Sequence, residues 1–161
     1  MRVLCCLDGT NAAHMSKATA MLSTSQPLTL GLLYVIDIRP RKDMEHTRER
    51  FLRAPVLPSS REKAMQQADQ ASAQDILNEG SAHFTAAEPL QRQGRPEREI
   101  VNAAAEWRAD LVIICSRAEF DHRPPIGPKS VGHTARFVLD HAPCPVLLVR
   151  PMAPDQFPID R

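Results

Sequence analysis

The sequence has almost no excess charge of either sign and no long apolar run. Twenty Lys and Arg residues stand against nineteen Asp and Glu residues, which leaves a formal net charge of +1. A chain so close to neutral lacks the electrostatic footprint of a protein that binds nucleic acid or an anionic membrane surface. No apolar run approaches the roughly 18 residues of a membrane span. Asp8 also comes too early for the opening segment to read as a secretory signal.

Cysteine is scarce and lacks the spacing of a metal or redox site. Cys5 and Cys6 are adjacent, and Cys115 and Cys144 lie in apolar runs. Adjacent cysteines do not readily form a disulfide with each other, and the sequence contains no C-x-x-C pair. We therefore expect free thiols that pack as small apolar side chains. Free thiols predict a reducing, cytoplasmic compartment.

The motifs of the common catalytic mechanisms are absent as well. The sequence has no G-x-S-x-G elbow, no P-loop, no G-x-G-x-x-G fingerprint and no H-E-x-x-H pair. None of the histidines has metal-ligand spacing; they are His14, His46, His83, His122, His133 and His141. We expect no enzyme activity beyond, at most, weak ATP hydrolysis, for which the sequence offers no identifiable catalytic base. A phosphate-ester enzyme that uses Arg117 and Lys129 is a weaker alternative, because the sequence supplies no general base for it.

Short, continuously apolar runs predict buried strands. When a run has no polar alternation, both of its faces are covered, as in the strands of a parallel sheet. Residues 89–94 are more polar and suit an edge strand, where Pro89 is tolerated. The four apolar runs are residues 3–7, 28–36, 110–115 and 145–149.

The stretches between these runs have helical spacing. Thr10 is the predicted N-cap of the first helix, and residues 59–62 form a capping box that opens a long Ala- and Gln-rich helix to about Phe84. Pro96 and Glu97 suit the first turn of a third helix. The apolar stripes of the other helices are Met15, Ala18 and Leu22; Ile100, Ala104 and Trp107; and Val131, Ala135, Val138 and Ala142.

Predicted strands and helices alternate along the chain. This order predicts one doubly wound α/β domain over residues 1–150, followed by a surface tail over residues 151–161. Ligands bind at the carboxyl ends of the strands in such sheets. Two irregular segments, residues 38–58 and 119–129, follow predicted strand ends. The first mixes basic and acidic side chains, which indicates a solvated lid rather than a nucleic-acid surface.

Four stretches of the chain resemble the universal stress protein family. They are VLCCLDGT at residues 3–10, LLYVID at 32–37, ADLVIICSR at 109–117 and HAPCPVLLVR at 141–150. They follow the order and spacing of the family, and the last is the most specific. The resemblance implies a five-stranded parallel sheet of strand order 3-2-1-4-5 with helices on both faces, usually in a homodimer. It also implies a stress-responsive regulatory protein that binds ATP or AMP at the carboxyl ends of the first and fourth strands, without firmly assigned catalysis.

The same resemblance assigns residues to a nucleotide pocket. Asp8 matches the acidic position of the family, where a carboxylate can accept hydrogen bonds from ribose hydroxyls or from the adenine amino group. Asp8 also suits a capping role for the helix that follows, and the two roles are compatible. Cys6 and Val35 match positions that line the base, although both also suit plain core. Thr10 and Cys115 complete the candidates at these strand ends.

The predicted phosphate-binding part departs from the family pattern. Family members that bind nucleotides follow the fourth strand with Gly-x-x-Gly, nine residues, and then Gly-Ser or Gly-Thr. Glycine lets backbone N–H groups approach phosphate oxygens closely. Here the tetrapeptide is Cys-Ser-Arg-Ala at residues 115–118. Thirteen residues separate Ala118 from Gly132, and His133 follows in place of a hydroxyl residue.

Two interpretations of this longer loop stay open. In the first, it builds a different anion cradle at a helix N-terminus, with Arg117 as a bidentate clamp beside Ala118. The candidate residues of that cradle are Gly127, Lys129, Ser130, Gly132, His133 and Thr134. In the second, the pocket is filled or reshaped, and the chain is a nucleotide-free dimeric interaction module. The closing strand at residues 145–149 then offers a pairing edge for a partner chain.

Overall fold

The five segments predicted as strands form one parallel sheet in the computed structural model. The structure describes residues 1–23, 27–39, 60–84, 86–116 and 131–150. The strands are β1 (Arg2–Leu7), β2 (Thr29–Asp37), β3 (Glu88–Gly94), β4 (Leu111–Cys115) and β5 (Val146–Val149). Their order is β3-β2-β1-β4-β5, and every neighbouring pair is parallel. The predicted fold class and strand order are confirmed.

Helices cover both faces of the sheet. Within the described ranges they are α1 (Ala12–Ser23), α2 (Ser60–Ala82), α3 (Pro96–Glu106) and α4 (His133–His141). Successive residues of β1 alternate between the two faces. Val3 and Cys5 pack with apolar side chains of α1 and α2, whereas Leu4 and Cys6 pack with those of α3 and α4. This two-sided burial explains why the central strands read as unbroken apolar runs.

Some predicted boundaries shift by one or two residues. The long helix ends at Ala82 rather than near Phe84. The prediction of Thr10 as the N-cap of α1 is wrong, because α1 begins at Ala12 and Asn11 immediately precedes it. The carbonyl oxygen of Asn11 accepts hydrogen bonds from the backbone N–H groups of His14 and Met15, each at 3.0 Å. Both residue types cap helices well, so local sequence did not separate them.

The N-termini of α3 and α4 meet at the carboxyl edge of the sheet. Pro96 is the first residue of α3, as predicted, and Glu97 follows in its first turn. Val131 and Gly132 precede α4, and Ala142 is its C-cap, so the predicted stripe extends past both ends of that helix. None of the helices within the described residues is both long and apolar enough to cross a membrane. The predicted tail at residues 151–161 lies outside the described residues.

Candidate functional site

A cavity of about 310 Å³ opens at the carboxyl edge of the central strands. Its volume lies near the lower end of the range for small-molecule sites, about 300–1,000 Å³. The ends of β1, β2 and β4 form its floor, and the first turns of α3 and α4 form its rim. The lining residues are Cys6, Leu7, Asp8, Leu33, Tyr34, Val35, Pro96, Ile100, Ile114, Cys115, Val131, Gly132, His133, Thr134 and Ala135.

The cavity brings together many of the residues predicted from sequence. The predicted residues that line it are Cys6, Asp8, Val35, Cys115, Gly132, His133 and Thr134. Thr10 does not line it. Its backbone N–H and its hydroxyl both donate to Asp8 Oδ1 at 2.9 Å. The other predicted residues, Arg117, Ala118, Gly127, Lys129 and Ser130, lie outside the described residues. The anion cradle built on them therefore stays a prediction.

Asp8 closes the turn between β1 and α1 and also faces the cavity. Its Oδ1 holds Thr10, while Gly9 between them has φ +90°, a conformation that favours glycine. Asp8 therefore stabilises the turn, whereas Asn11 stands at the N-cap position. Because Asp8 is exposed at the cavity, its carboxylate can still accept hydrogen bonds from a bound molecule.

Asn11 joins this turn to the sheet and was missed as a site residue. Its side chain is only 5% exposed. Its Nδ2 donates to the Cys6 carbonyl oxygen at 3.0 Å, and its Oδ1 accepts the Asp8 backbone N–H at 3.2 Å. Asn11 thus fixes the strand end on which Asp8 is carried. The available signal was an asparagine just ahead of a helical stripe, which is a strong N-cap pattern.

The cavity floor contains protonated thiols. Burial, and then the nearby Asp8 carboxylate, raises the pKa of Cys115 to about 11, and a hydrogen bond with Asn11 offsets only part of this rise. Burial raises the pKa of Cys6 well above its usual range. Near neutral pH both side chains therefore line the cavity as neutral, weakly polar groups rather than as nucleophiles.

Apolar and aromatic side chains of neighbouring elements complete the walls. Leu33 and Tyr34 come from β2, and Ile100 and Ile114 come from α3 and β4. Sequence alone indicated these residues only as core, because they belong to the apolar runs and stripes. Burial, followed by the charges of Asp69 and Asp8, raises the pKa of Tyr34. The walls can pack on a flat aromatic base and leave the Asp8 carboxylate at one end.

Glu97 is a buried carboxylate beside the rim of the cavity, with an exposed fraction of 1%. Burial alone disfavours its charged form. The hydrogen bond from its own backbone N–H and the charges of Arg39 and Arg95 outweigh this effect, so the pKa of Glu97 is lowered. The sequence predicted Glu97 only as a residue of the first turn of its helix and gave no sign of its burial. In the described part of the chain, no three His, Cys, Asp or Glu side chains come together as metal ligands.

Comparisons with known proteins agree with this architecture. A universal stress protein of Thermus aquaticus is 28% identical over 148 residues, which cover 92% of this chain and 97% of the relative. The solved structure of UspA from Lactobacillus plantarum matches with a TM-score of 0.65 and 21% identity, covering 93% of this chain and 97% of that one. A family protein of Arabidopsis thaliana with AMP bound matches with a TM-score of 0.56 and 16% identity, covering 99% and 97%.

The family comparison covers the strands, the helices and the cavity together. The profile described as "Universal stress protein family" matches residues 1–150. This range includes every element that lines the cavity. The resemblance seen in four stretches of sequence is thereby confirmed, and the chain belongs to the universal stress protein family.

Proposed function

We propose that this chain is a stress-responsive regulatory protein that binds an adenine nucleotide, ATP or AMP, in the cavity at the carboxyl ends of β1 and β4. The observation that carries the proposal is the cavity itself, which places the Asp8 carboxylate, the Val35 side chain and the start of α4 around one space. The Arabidopsis thaliana relative of the same fold holds AMP. We propose binding without a catalytic step.

The chemistry of the cavity suits the three parts of a nucleotide. Its apolar walls suit the base, and Asp8 can accept hydrogen bonds from the ribose or from an amino group. The start of α4 suits a phosphate, because Gly132 has φ +82° and no side chain caps the helix. The backbone N–H groups of the first helical turn lack intrahelical partners and attract anions.

Thermal unfolding with AMP, ATP and cyclic AMP tests this proposal. If a nucleotide is present at a hundred times its Kd, it stabilises the folded state by about 2.7 kcal/mol. For a chain of this length, we expect the Tm to rise by roughly 5–10 °C. Asp8→Ala should reduce the rise, whereas Asp75→Ala, an exposed carboxylate on α2, should leave it unchanged. Absence of any rise at millimolar nucleotide would favour the second candidate function.

The second candidate function is that of a nucleotide-free homodimeric interaction module. The departure from the Gly-x-x-Gly pattern at residues 115–118 favours it. So do Leu139 of α4 and Leu147 of β5, large apolar side chains that are 43% and 37% exposed. We propose a homodimer through the β5 edge under either function. The four free cysteines support a reducing compartment such as the cytoplasm as its location.

A further inference from the structure

The side chains of two arginines and one histidine lie around the buried Glu97 carboxylate. Arg95 Nε donates to Glu97 Oε1 at 3.0 Å, and His133 Nε2 lies 3.8 Å from the same oxygen. Arg39 Nη1 lies 3.7 Å from Glu97 Oε2. Arg39 follows β2, Arg95 precedes α3, and His133 begins α4. One carboxylate therefore holds Arg95 by a hydrogen bond and lies within ion-pair distance of two side chains that are distant in sequence.

The cluster touches the rim of the cavity. His133 lines the cavity, and so does Pro96, which lies between Arg95 and Glu97 in the chain. The side chains of Arg95 and His133 are 48% and 64% exposed, whereas Glu97 is buried beneath them. A molecule in the cavity contacts His133 directly, and a molecule that extends past Pro96 can meet the exposed Arg95 side chain without reaching the Glu97 carboxylate.

In the part of the chain that the structure describes, the two terminal nitrogens of the Arg95 guanidinium are available to donate hydrogen bonds. Its Nε bonds to Glu97, and no partner contacts its two terminal nitrogens within the described ranges. Arg39 differs, because Asp37 engages its guanidinium through Nε at 3.0 Å and Nη2 at 2.6 Å. A guanidinium with two free terminal nitrogens can bind a phosphate in a bidentate manner.

The cluster leaves one oxygen of the Glu97 carboxylate without a hydrogen bond. Its Oε2 is buried and has no hydrogen-bond partner, although Arg39 lies 3.7 Å away. Buried polar atoms without a partner are rare, because each one costs folding free energy. The arrangement is understandable if the carboxylate serves to hold Arg95 and His133 in place, rather than to maximise stability.

We propose that Arg95 and His133 recognise the phosphate group of the bound nucleotide, with Glu97 as the residue that positions them. This inference rests on the proposed nucleotide-binding function and deepens it. The side chains of Arg95 and His133 would then donate hydrogen bonds to the phosphate. In the family pattern, backbone N–H groups of the Gly-x-x-Gly segment, which this chain lacks, make those contacts. The formal charges of Arg39 and Arg95 are cancelled by those of the Asp37 and Glu97 carboxylates. Recognition therefore depends on directed donors and on the N-terminus of α4.

Isothermal titration with AMP and with adenosine tests the role of Arg95. Arg95→Ala should weaken AMP binding by about tenfold or more, as expected for the loss of a charge-assisted contact, and should leave adenosine binding unchanged. Arg92→Ala is the matched control, because Arg92 pairs with Glu106 and is not part of the cluster around Glu97 at the cavity rim. Equal AMP affinity of Arg95→Ala and the unmodified chain would overturn the inference while leaving the proposed function intact.

The same titration separates positioning by Glu97 from a merely structural role. Glu97→Ala should reduce the preference for AMP over adenosine, with adenosine affinity retained. Glu97→Gln keeps an acceptor oxygen for Arg95 and should restore much of that preference. If Glu97→Ala weakens both ligands equally, or leaves the preference unchanged, the positioning role is wrong.

Inorganic pyrophosphate gives a test that needs no nucleoside. If ATP, AMP and adenosine all fail to bind, the proposed nucleotide function is wrong, and pyrophosphate then decides whether the anion site exists. A rise in Tm with pyrophosphate that is lost in Arg95→Ala and kept in Arg92→Ala supports the anion site. No rise, or an equal rise in both variants, overturns it.

Discussion

Cys115 and Asp8 show how a carboxylate at the end of one strand changes the pKa of a thiol at the end of its neighbour. Each stands at the end of a neighbouring strand, and β1 and β4 pair directly. Burial is the main cause of the raised pKa of Cys115, about 11, and the Asp8 carboxylate is the second cause. A thiol with this pKa is almost wholly protonated at pH 8, so its alkylation is slow.

Removal of the Asp8 charge should make Cys115 more reactive. In Asp8→Asn the second cause of the raised pKa disappears, the pKa of Cys115 falls, and a larger fraction of thiolate is present at pH 8. Alkylation by iodoacetamide, followed by mass spectrometry of the Cys115 peptide, should therefore be several-fold faster. The asparagine oxygen can still accept the hydrogen bonds of the turn at Thr10.

Asp110→Asn serves as the matched control for this measurement. The Asp110 carboxylate contributes to the raised pKa of Cys144, after burial, and is not a cause of the raised pKa of Cys115. Its removal should accelerate alkylation of Cys144 and leave Cys115 unchanged. Equal rates for Cys115 in Asp8→Asn and the unmodified chain would contradict the assigned neighbourhood of the two residues.

At the scale of elements, β2 is held between β1 and β3 by close packing around one glycine. A Cβ atom at Gly31 would lie 3.0 Å from the ring of Trp107 and 3.2 Å from both Leu4 and Leu90. These contacts are tighter than ordinary packing and come from three elements at once. The φ of Gly31 is not in the left-handed region, so the constraint at this position is space: an added Cβ requires its neighbours to move by a few tenths of an ångström.

Gly31→Ala should destabilise the protein by about 1–3 kcal/mol, the usual cost of overpacking a filled core. Chemical denaturation monitored by circular dichroism measures this change. A Gly31→Ala variant as stable as the unmodified chain would show that the packing around β2 relaxes without cost.

At the scale of the whole molecule, the alternation of apolar runs and helical stripes predicted the fold class, whereas the strand order followed from the family resemblance. Burial explains the apolar runs of β1, β2 and β4. The prediction that residues 145–149 form a buried strand is wrong, because β5 is an edge strand without a buried residue. The ends of the apolar runs also located Asp8 and Cys115, since parallel topology collects carboxyl ends at one edge. Glu97 was not identified as a site residue, because its burial depends on Arg39, Arg95 and His133, which only the folded chain brings together. No local pattern could reveal this cluster.

The β5 edge carries the proposal of a homodimer. Within the described chain β5 pairs only with β4, so its other side presents unpaired backbone groups. A twofold axis would pair β5 with its copy and cover Leu147. Light scattering at micromolar concentration should then give the mass of a dimer, and Leu147→Lys should give a monomer. Met21→Lys, on the exposed side of α1, should remain dimeric. A monomeric unmodified chain would contradict the proposal, because an edge that stays free at that concentration does not serve assembly.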